Sequence, residues 1–319
     1  MKRRRRLALL MATTALAIGV VATGCGDDDD GGSSDGSDLS GSIIVDGSST
    51  VAPLTSAAAE EFNAENSGVD IEVRVSGTGG GFEVFCNGDT DISDASRPIK
   101  DEEAETCAGN SIEYDEIRVG SDGITVVTGA DSDVGGDDLT VDQLKAIWEP
   151  GSKINNWKDI PGGSFNDVDL SLAGADSQSG TYDFFNEEIL GENDAGETIE
   201  PRQDYAASAD DNQTIRSVTG APGGMGYFGY SYFAENEESL TPISLDGIAP
   251  TVESITTGEY HLSRPLFIYV NRESLAQPHV AAFIRYYLEN GVALAETERY
   301  VPAPQEELDK GLAALPAAE

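Results

Sequence analysis

Histidine is nearly missing from this chain: His261 and His279 are the only two in 319 residues. A His-rich metal centre is therefore not expected, and the two rings are expected to be structural or exposed. Basic residues are scarce as well, with 19 Lys+Arg against 58 Asp+Glu and a formal charge of −39. Such a surface repels DNA, RNA and anionic lipid, so nucleic-acid binding is not expected. On the same reasoning it should repel small anions. No Gly-Lys-Ser/Thr occurs, so there is no Walker A loop. The serines lack a nucleophile elbow, and no Ser-His-Asp set is apparent. Solenoid-length repeats are absent. What is present is 39% hydrophobic residues, enough to build cores in a chain about two domains long.

The first segment reads as an export signal. Lys2, Arg3, Arg4, Arg5 and Arg6 precede a largely apolar run over 7–22, which is short for a membrane span. Ala22-Thr23-Gly24-Cys25 resembles the lipobox of bacterial lipoproteins, departing from it at Ala22, where Leu is usual. The resemblance implies lipidation at Cys25. A secretory signal cleaved nearby and a permanent transmembrane helix are the alternatives. Residues 26–40 contain Asp27-Asp28-Asp29-Asp30 among Gly and Ser, which reads as a self-repelling tether rather than a calcium loop. In an exported chain the remaining pair, Cys86 and Cys107, reads as a disulfide contributing about 3 kcal/mol. A catalytic thiol is the weaker reading, since no histidine is near either one in sequence.

From residue 41 onward, short β-branched runs alternate with helical patterns, which indicates α/β layers. Strands are expected at 42–45, 71–75, 91–93, 117–119, 124–128, 170–173, 226–228 and 266–270. Helices are expected at 53–63, 82–86, 141–148, from about 180 to 190, and at 211–218, 280–289 and 306–314. Three strand-to-helix turns are rich in hydroxyls or glycine: Ser48-Ser49-Thr50, Ser76-Gly77-Thr78-Gly79-Gly80 and Ser177-Gln178-Ser179-Gly180-Thr181. Helix starts present unpaired N–H groups, and glycine lets a ligand come close to the backbone. Each turn alone could be an ordinary cap; together they would form an uncharged cage for a tetrahedral oxyanion. Arg97, at a strand end among acids, is the candidate fork for that anion, and a surface ion pair is its alternative. Gly224-Met225-Gly226-Tyr227-Phe228-Gly229 matches G-x-G-x-x-G but lacks the strand-before, helix-after setting of a dinucleotide site. Tyr227, Phe228, Tyr230, Tyr232 and Phe233 are expected to pack in a core or between lobes.

The blocks 46–53, 76–81, 91–98 and 179–181, joined by Ser208-Ala209-Asp210-Asp211-Asn212 and Gly226-Tyr227-Phe228-Gly229-Tyr230, resemble the PstS-type phosphate-binding proteins of bacterial phosphate ABC transporters. The resemblance spans roughly residues 41–305 in order. It implies a two-lobed type II periplasmic-binding-protein fold, each lobe a mixed α/β sheet flanked by helices, with phosphate in the cleft. The expected divisions are 1–24 signal, 25–40 tether, 41–122 lobe one, 123–264 lobe two and 265–319 return to lobe one.

Carried over, the phosphate contacts would be Ser49, Thr50, the Val51 N–H, Thr78, Gly79, Ser96, Arg97, Ser179, Gly180 and Thr181. Where the family usually carries an Asp ligand this chain has Ser96, and where it carries an Arg four residues before Ser-Gly-Thr this chain has Ala175. Asp210 and Asp94 are therefore the candidate acceptors of the phosphate proton, which sulfate lacks. Arg97→Ala is expected to weaken binding by roughly 2–5 kcal/mol. The implied partners are inorganic phosphate and an ABC permease. The chain is expected to be a monomer without cofactor or metal, membrane-bound only through its lipid. Another oxyanion receptor (sulfate or molybdate) or a secreted phosphate-ester hydrolase are the alternatives.

Overall fold

The computed structural model describes residues 39–317; the export segment, Cys25 and nearly all of the acidic tether lie outside the described residues. The first half of the chain folds as β1 (Gly41–Gly47), α1 (Ala52–Glu65), β2 (Val69–Val73), α2 (Gly77–Cys86), β3 (Ile92–Ala95), α3 (Asp101–Gly109), β4 (Tyr114–Gly129), β5 (Asp138–Leu139) and α4 (Val141–Trp148). Next come β6 (Ser171–Ala175), α5 (Gly180–Phe185), β7 (Ala206–Ser208), α6 (Asp211–Thr219), β8 (Gly224–Gly229), α7 (Tyr230–Ala234), β9 (Leu240–Pro242), β10 (Ser244–Leu245) and α8 (Val252–Thr257). The chain ends with β11 (Ser263–Asn271), α9 (Arg272–Leu275), α10 (Pro278–Glu289), α11 (Gly291–Thr297), β12 (Val301–Pro302) and α12 (Gln305–Ala314).

The local reasons for these elements are ordinary ones. Pro53 sits in the first turn of α1, where its missing N–H costs nothing, and Leu54, Ala58 and Phe62 bury one face of the helix. Truncating Leu54 or Phe62 to Ala should cost about 2–5 kcal/mol through lost burial and the cavity left behind. Thr140 starts α4 with a reciprocal cap: its side chain accepts from the Gln143 N–H, and the Gln143 side chain accepts from the Thr140 N–H. Helix α2 begins inside the glycine run, five residues before the aromatic start that the sequence pattern suggests. Gly81 is the reason it can lie so close to β1, because a Cβ there would fall 2.5 Å from the Gly47 Cα.

The strands run β2-β1-β3-β11-β4-β8-β6-β7. Strands β1, β2 and β3 pair in parallel, whereas β11 lies antiparallel to both β3 and β4. Strand β4 pairs with β11 up to Gly123 and with β8 from Ile124. The sequence pattern suggests two short strands here, interrupted by Gly120-Ser121-Asp122-Gly123. They are one strand of 16 residues, because β11 pairs with it through Gly120–Gly123 and β12 adds partners at Gly120 and Ser121.

The two larger apolar cores flank this shared strand. One gathers Ile43, Val45, Leu54, Phe62, Ile268, Phe283 and Tyr287. The other gathers Trp148, Trp157, Phe184, Phe185 and Tyr227, with Phe185 and Tyr227 stacked at 3.8 Å between ring centres. The G-x-G-x-x-G stretch is β8 itself, packed so tightly that a Cβ on Gly224 would lie 2.2 Å from the Val218 carbonyl oxygen. Tyr227 and Phe228 are fully buried core residues. His279 is buried against the Ser42 carbonyl and His261 is exposed.

Candidate functional site

A cleft of about 490 Å³ opens between the two cores. One wall consists of Ser48, Ser49 and Thr50 before α1, Gly77, Thr78 and Gly79 at the start of α2, and Ser96, Arg97, Pro98 and Lys100 after β3. The other consists of Gly180, Asp183, Phe184, Glu187 and Glu188, on α5 and the π-helical turn that continues it. Arg264 and Pro265, at the start of β11, close one side.

Hydrogen bonds fix the first wall to the strand ends. The Ser48 N–H donates to the Asp94 carbonyl at 2.9 Å, and the Thr50 N–H donates to Ser48 Oγ at 3.2 Å. Ser96 is tied to α2, its N–H donating to Thr78 Oγ1 at 3.2 Å, with the two hydroxyls 3.1 Å apart. The hydroxyls of Ser49, Thr50, Thr78 and Ser96 and the unpaired N–H groups at the start of α2 therefore line one space, while the N–H groups of Thr50, Val51 and Ala52 are already taken by Ser48.

Arg264 is the best-placed cation. Its guanidinium donates to Thr50 Oγ1 at 2.8 Å and to Asp122 Oδ2 at 3.0 and 3.2 Å. It lies over the Phe184 ring at 3.9 Å, and only 14% of its side chain is exposed. Because Thr50 accepts from Arg264, its own hydroxyl hydrogen remains available to a ligand. A partly dehydrated guanidinium beside hydroxyls and helix starts is an oxyanion site by its chemistry.

Comparison with known proteins agrees with that chemistry. The PBP superfamily domain model matches residues 32–290. The phosphate-binding protein PstS of Staphylococcus epidermidis is 38% identical over 304 residues, covering 93% of this chain and 89% of that relative. The chain belongs to the PstS family of the PBP superfamily. Protein SphX of Synechococcus elongatus is 38% identical over 270 residues, 82% of this chain and 77% of that protein. The crystal structure of a possible phosphate binding protein from Planctomyces limnophilus superposes with a TM-score of 0.78 at 40% identity, covering 86% of this chain and 98% of that one. The halves on either side of the cleft are the two lobes of this fold.

In this PstS-family chain the residues singled out in the sequence fall into three groups. Ser49, Thr50, Thr78, Gly79, Ser96, Arg97 and Gly180 line the cleft. Val51, Ser179 and Thr181 adjoin it without lining it. The Val51 N–H donates to the Ser48 carbonyl, and Ser179 Oγ accepts from the Thr181 N–H as an ordinary cap. Asp94 and Asp210 lie elsewhere. Asp210 caps α6 through the Asn212 N–H, is paired with Arg216 at 3.5 Å and has 56% of its side chain exposed.

Asp94 is fully buried beneath α1, accepting from Thr55 Oγ1 at 2.9 Å, and its other carboxyl oxygen has no partner. Burial pushes its pKa up to about 8; the Thr55 hydrogen bond opposes the rise and the Asp46 charge adds to it. Arg97 reaches the cleft, but Glu103 engages its fork through two 2.8 Å bonds, which raise the Arg97 pKa. The positive group that the sequence reading assigned to Arg97 alone is therefore supplied by Arg264 as well.

Arg264, Asp122, Lys100, Asp183, Phe184, Glu187 and Glu188 were not singled out in the sequence. A faint signal exists for part of this group, since 180, 183, 184, 187 and 188 follow helical spacing on one face. Burial raises the pKa of Asp183, with Arg264 opposing. Burial raises that of Glu188 too, assisted by Glu187 and opposed by His261 and Arg264. Among the described residues no group of three or more His, Cys, Asp or Glu is arranged to hold a metal ion. Cys86 on α2 and Cys107 on α3 lie with their Cα atoms 4.2 Å apart.

Proposed function

We propose that this chain is an extracytoplasmic receptor that takes inorganic phosphate into the cleft and delivers it to an ABC permease. The observation that carries the proposal is the meeting of the α1 and α2 starts with the Arg264–Thr50 pair in one space. The names of the PstS relatives support phosphate as the anion. Thr50, Thr78 and Ser96 supply hydroxyls, Ser49, Gly79 and Gly180 supply backbone at close range, and Arg264 supplies charge, with Arg97 and Lys100 nearer the rim. Closure of the lobes would exclude water and strengthen each of these bonds. The cleft performs no covalent chemistry in this account.

The finer parts of the proposal are a lipid anchor at Cys25, a Cys86–Cys107 disulfide, a monomeric state, and lobes divided as 41–122, 123–264 and 265–319. Calorimetry of the purified protein tests the central claim. Phosphate is expected to bind at micromolar or lower concentration, with sulfate rejected. Equal binding of the two anions would remove the selectivity, and no phosphate binding would remove the function. Mass spectrometry of the mature N-terminus tests the anchor, with a diacylglyceryl-modified Cys25 expected.

A further inference from the structure

Helix α11 ends on an unexpected residue. Arg299 stands just past its last turn with φ at 64°, in the left-handed region where glycine is the usual choice. The termination itself is standard: the Arg299 N–H donates to the Glu296 carbonyl at 3.2 Å, and the Tyr300 N–H to the Ala295 carbonyl at 2.8 Å. Among the described residues the other positive-φ residues that are not glycine are Ser111 and Asp246, both short and polar. An arginine kept at such a position needs a reason that glycine cannot supply. Its contacts give one. The guanidinium donates to Glu235 at 2.5 Å and lies over the Tyr232 ring at 4.5 Å, and the Arg299 carbonyl accepts from Ser231 Oγ at 2.6 Å. All three partners belong to α7 or its C-terminal cap. Through Phe233, α7 packs on Val127 and Phe228 of the second lobe.

The residues that follow reach the other way. Tyr300 packs against the first core, whereas Val301 lies within the second. Strand β12 then pairs with β4 at Gly120 and Ser121, just before β4 changes partner. Residues 299–302 are thus a third segment between the cores, beside β4 and β11. Tyr300 Oη donates to the Thr50 carbonyl at 2.7 Å across 250 residues of sequence. Thr50 is held at every polar group: its N–H by Ser48 Oγ, its Oγ1 by Arg264 and its carbonyl by Tyr300. With both of its peptide groups fixed, the direction of its hydroxyl is fixed too. Resting on the receptor reading above, we propose that Tyr300 is a positioning residue for Thr50, kept in register with the second lobe by the grip of Arg299 on α7. A shift of α7 relative to the first lobe is then passed through two residues to the turn that meets the anion. Glycine would end α11 equally well but would leave Tyr300 without this anchor.

Hydrogen exchange of the full-length, ligand-free protein reads this strap directly. Arg299→Gly removes the grip and suits the left-handed backbone, so the end of α11 is kept. Exchange over 50–52, whose amides are bonded to Ser48, should rise about three- to tenfold in Arg299→Gly and in Tyr300→Phe, with α10 within about twofold of the unaltered protein. No rise at 50–52, or an equal rise in α10, overturns the proposal. Calorimetry with inorganic phosphate reads the consequence. Tyr300→Phe should weaken binding about three- to tenfold in the unaltered protein, and by less than about twofold in a Thr50→Ala background. An equal loss in both backgrounds overturns the positioning role, because Tyr300 would then act by a route that bypasses Thr50. Arg299→Gly and Glu235→Gln should each weaken phosphate by about two- to threefold, and no effect of either overturns the grip. If the unaltered protein binds no phosphate, the receptor reading has failed, and the exchange result alone decides the strap.

Discussion

The two walls of the cleft are built from unlike material. The first-lobe wall joins the starts of a 14-residue and a 10-residue helix to a strand end, and its groups are hydroxyls, backbone N–H and the cations Arg97 and Lys100. The second-lobe wall is a six-residue helix with its π-helical extension, and its charged groups are all acids. Arg264 sits at the seam, near the point where β4 changes partner from β11 to β8. The difference teaches that a strongly acidic protein can host an anion if donors are concentrated on one surface of the cleft and acids on the other. Net charge acts through the screened field around the molecule, whereas the site acts through a few aligned groups at hydrogen-bond distance.

The largest expected effect breaks the seam. Arg264→Ala should weaken phosphate binding by about 2–5 kcal/mol, since it removes a mostly buried charge and leaves Asp122, 15% exposed, without its partner. Isothermal titration checks this, and a loss below about 0.5 kcal/mol would place the main cation elsewhere.

The next test concerns the floor of the first wall. The Asp94 pKa is raised to about 8, so the folded protein holds a proton that the unfolded chain has lost above its ordinary carboxylate value. The resulting stability is fully present below about pH 4 and is lost as pH rises through about 8. Asp94→Asn should flatten this dependence, making the variant less sensitive than the parent by on the order of 2–4 kcal/mol between pH 5 and 9. Urea unfolding across that range is the measurement, and parallel curves for the two proteins would contradict it.

A smaller effect is expected at the rim. Arg97 is 31% exposed and bound to Glu103, so Arg97→Ala should weaken phosphate by roughly 1 kcal/mol, less than the sequence alone suggests. An effect as large as that of Arg264→Ala would mean that Arg97 leaves Glu103 for the ligand on closure. The smallest effect is at Asp210. Its removal in Asp210→Ala should cost about 0.5–1 kcal/mol of stability through the lost α6 cap and leave phosphate affinity within about twofold. Thermal unfolding and titration of the same sample separate the two readouts.

Local signals were legible where a single element carried them. The Thr140 cap and the helix that follows it, the Pro53 start with its Leu54–Ala58–Phe62 face, and the strand around 266–270 were readable because capping and periodicity act over a few residues. The hydroxyl and glycine turns at 48–50 and 77–79 were readable for the same reason. Helix α3 was not, because its run of acids and single buried Cys107 give it almost no apolar face. Strand β4 reads as two in the sequence because the partners that hold it together across its glycines, β11 and β12, lie about 140 to 180 residues away.

The sequence by itself determined the α/β alternation, the donor-rich helix starts and the resemblance to PstS-type proteins, since each depends on short-range pattern. Only the tertiary structure decided which charges meet. Arg264 and Thr50 are 214 residues apart in the chain and 2.8 Å apart in the fold. Arg97, from sequence the obvious fork, has its hydrogen bonds taken by Glu103 six residues on. The acids of α5 become a wall of the cleft only when the second lobe faces the first. Coulomb and hydrogen-bond energies depend on separation in space and on burial, and neither is written in residue spacing once the partners lie on different elements.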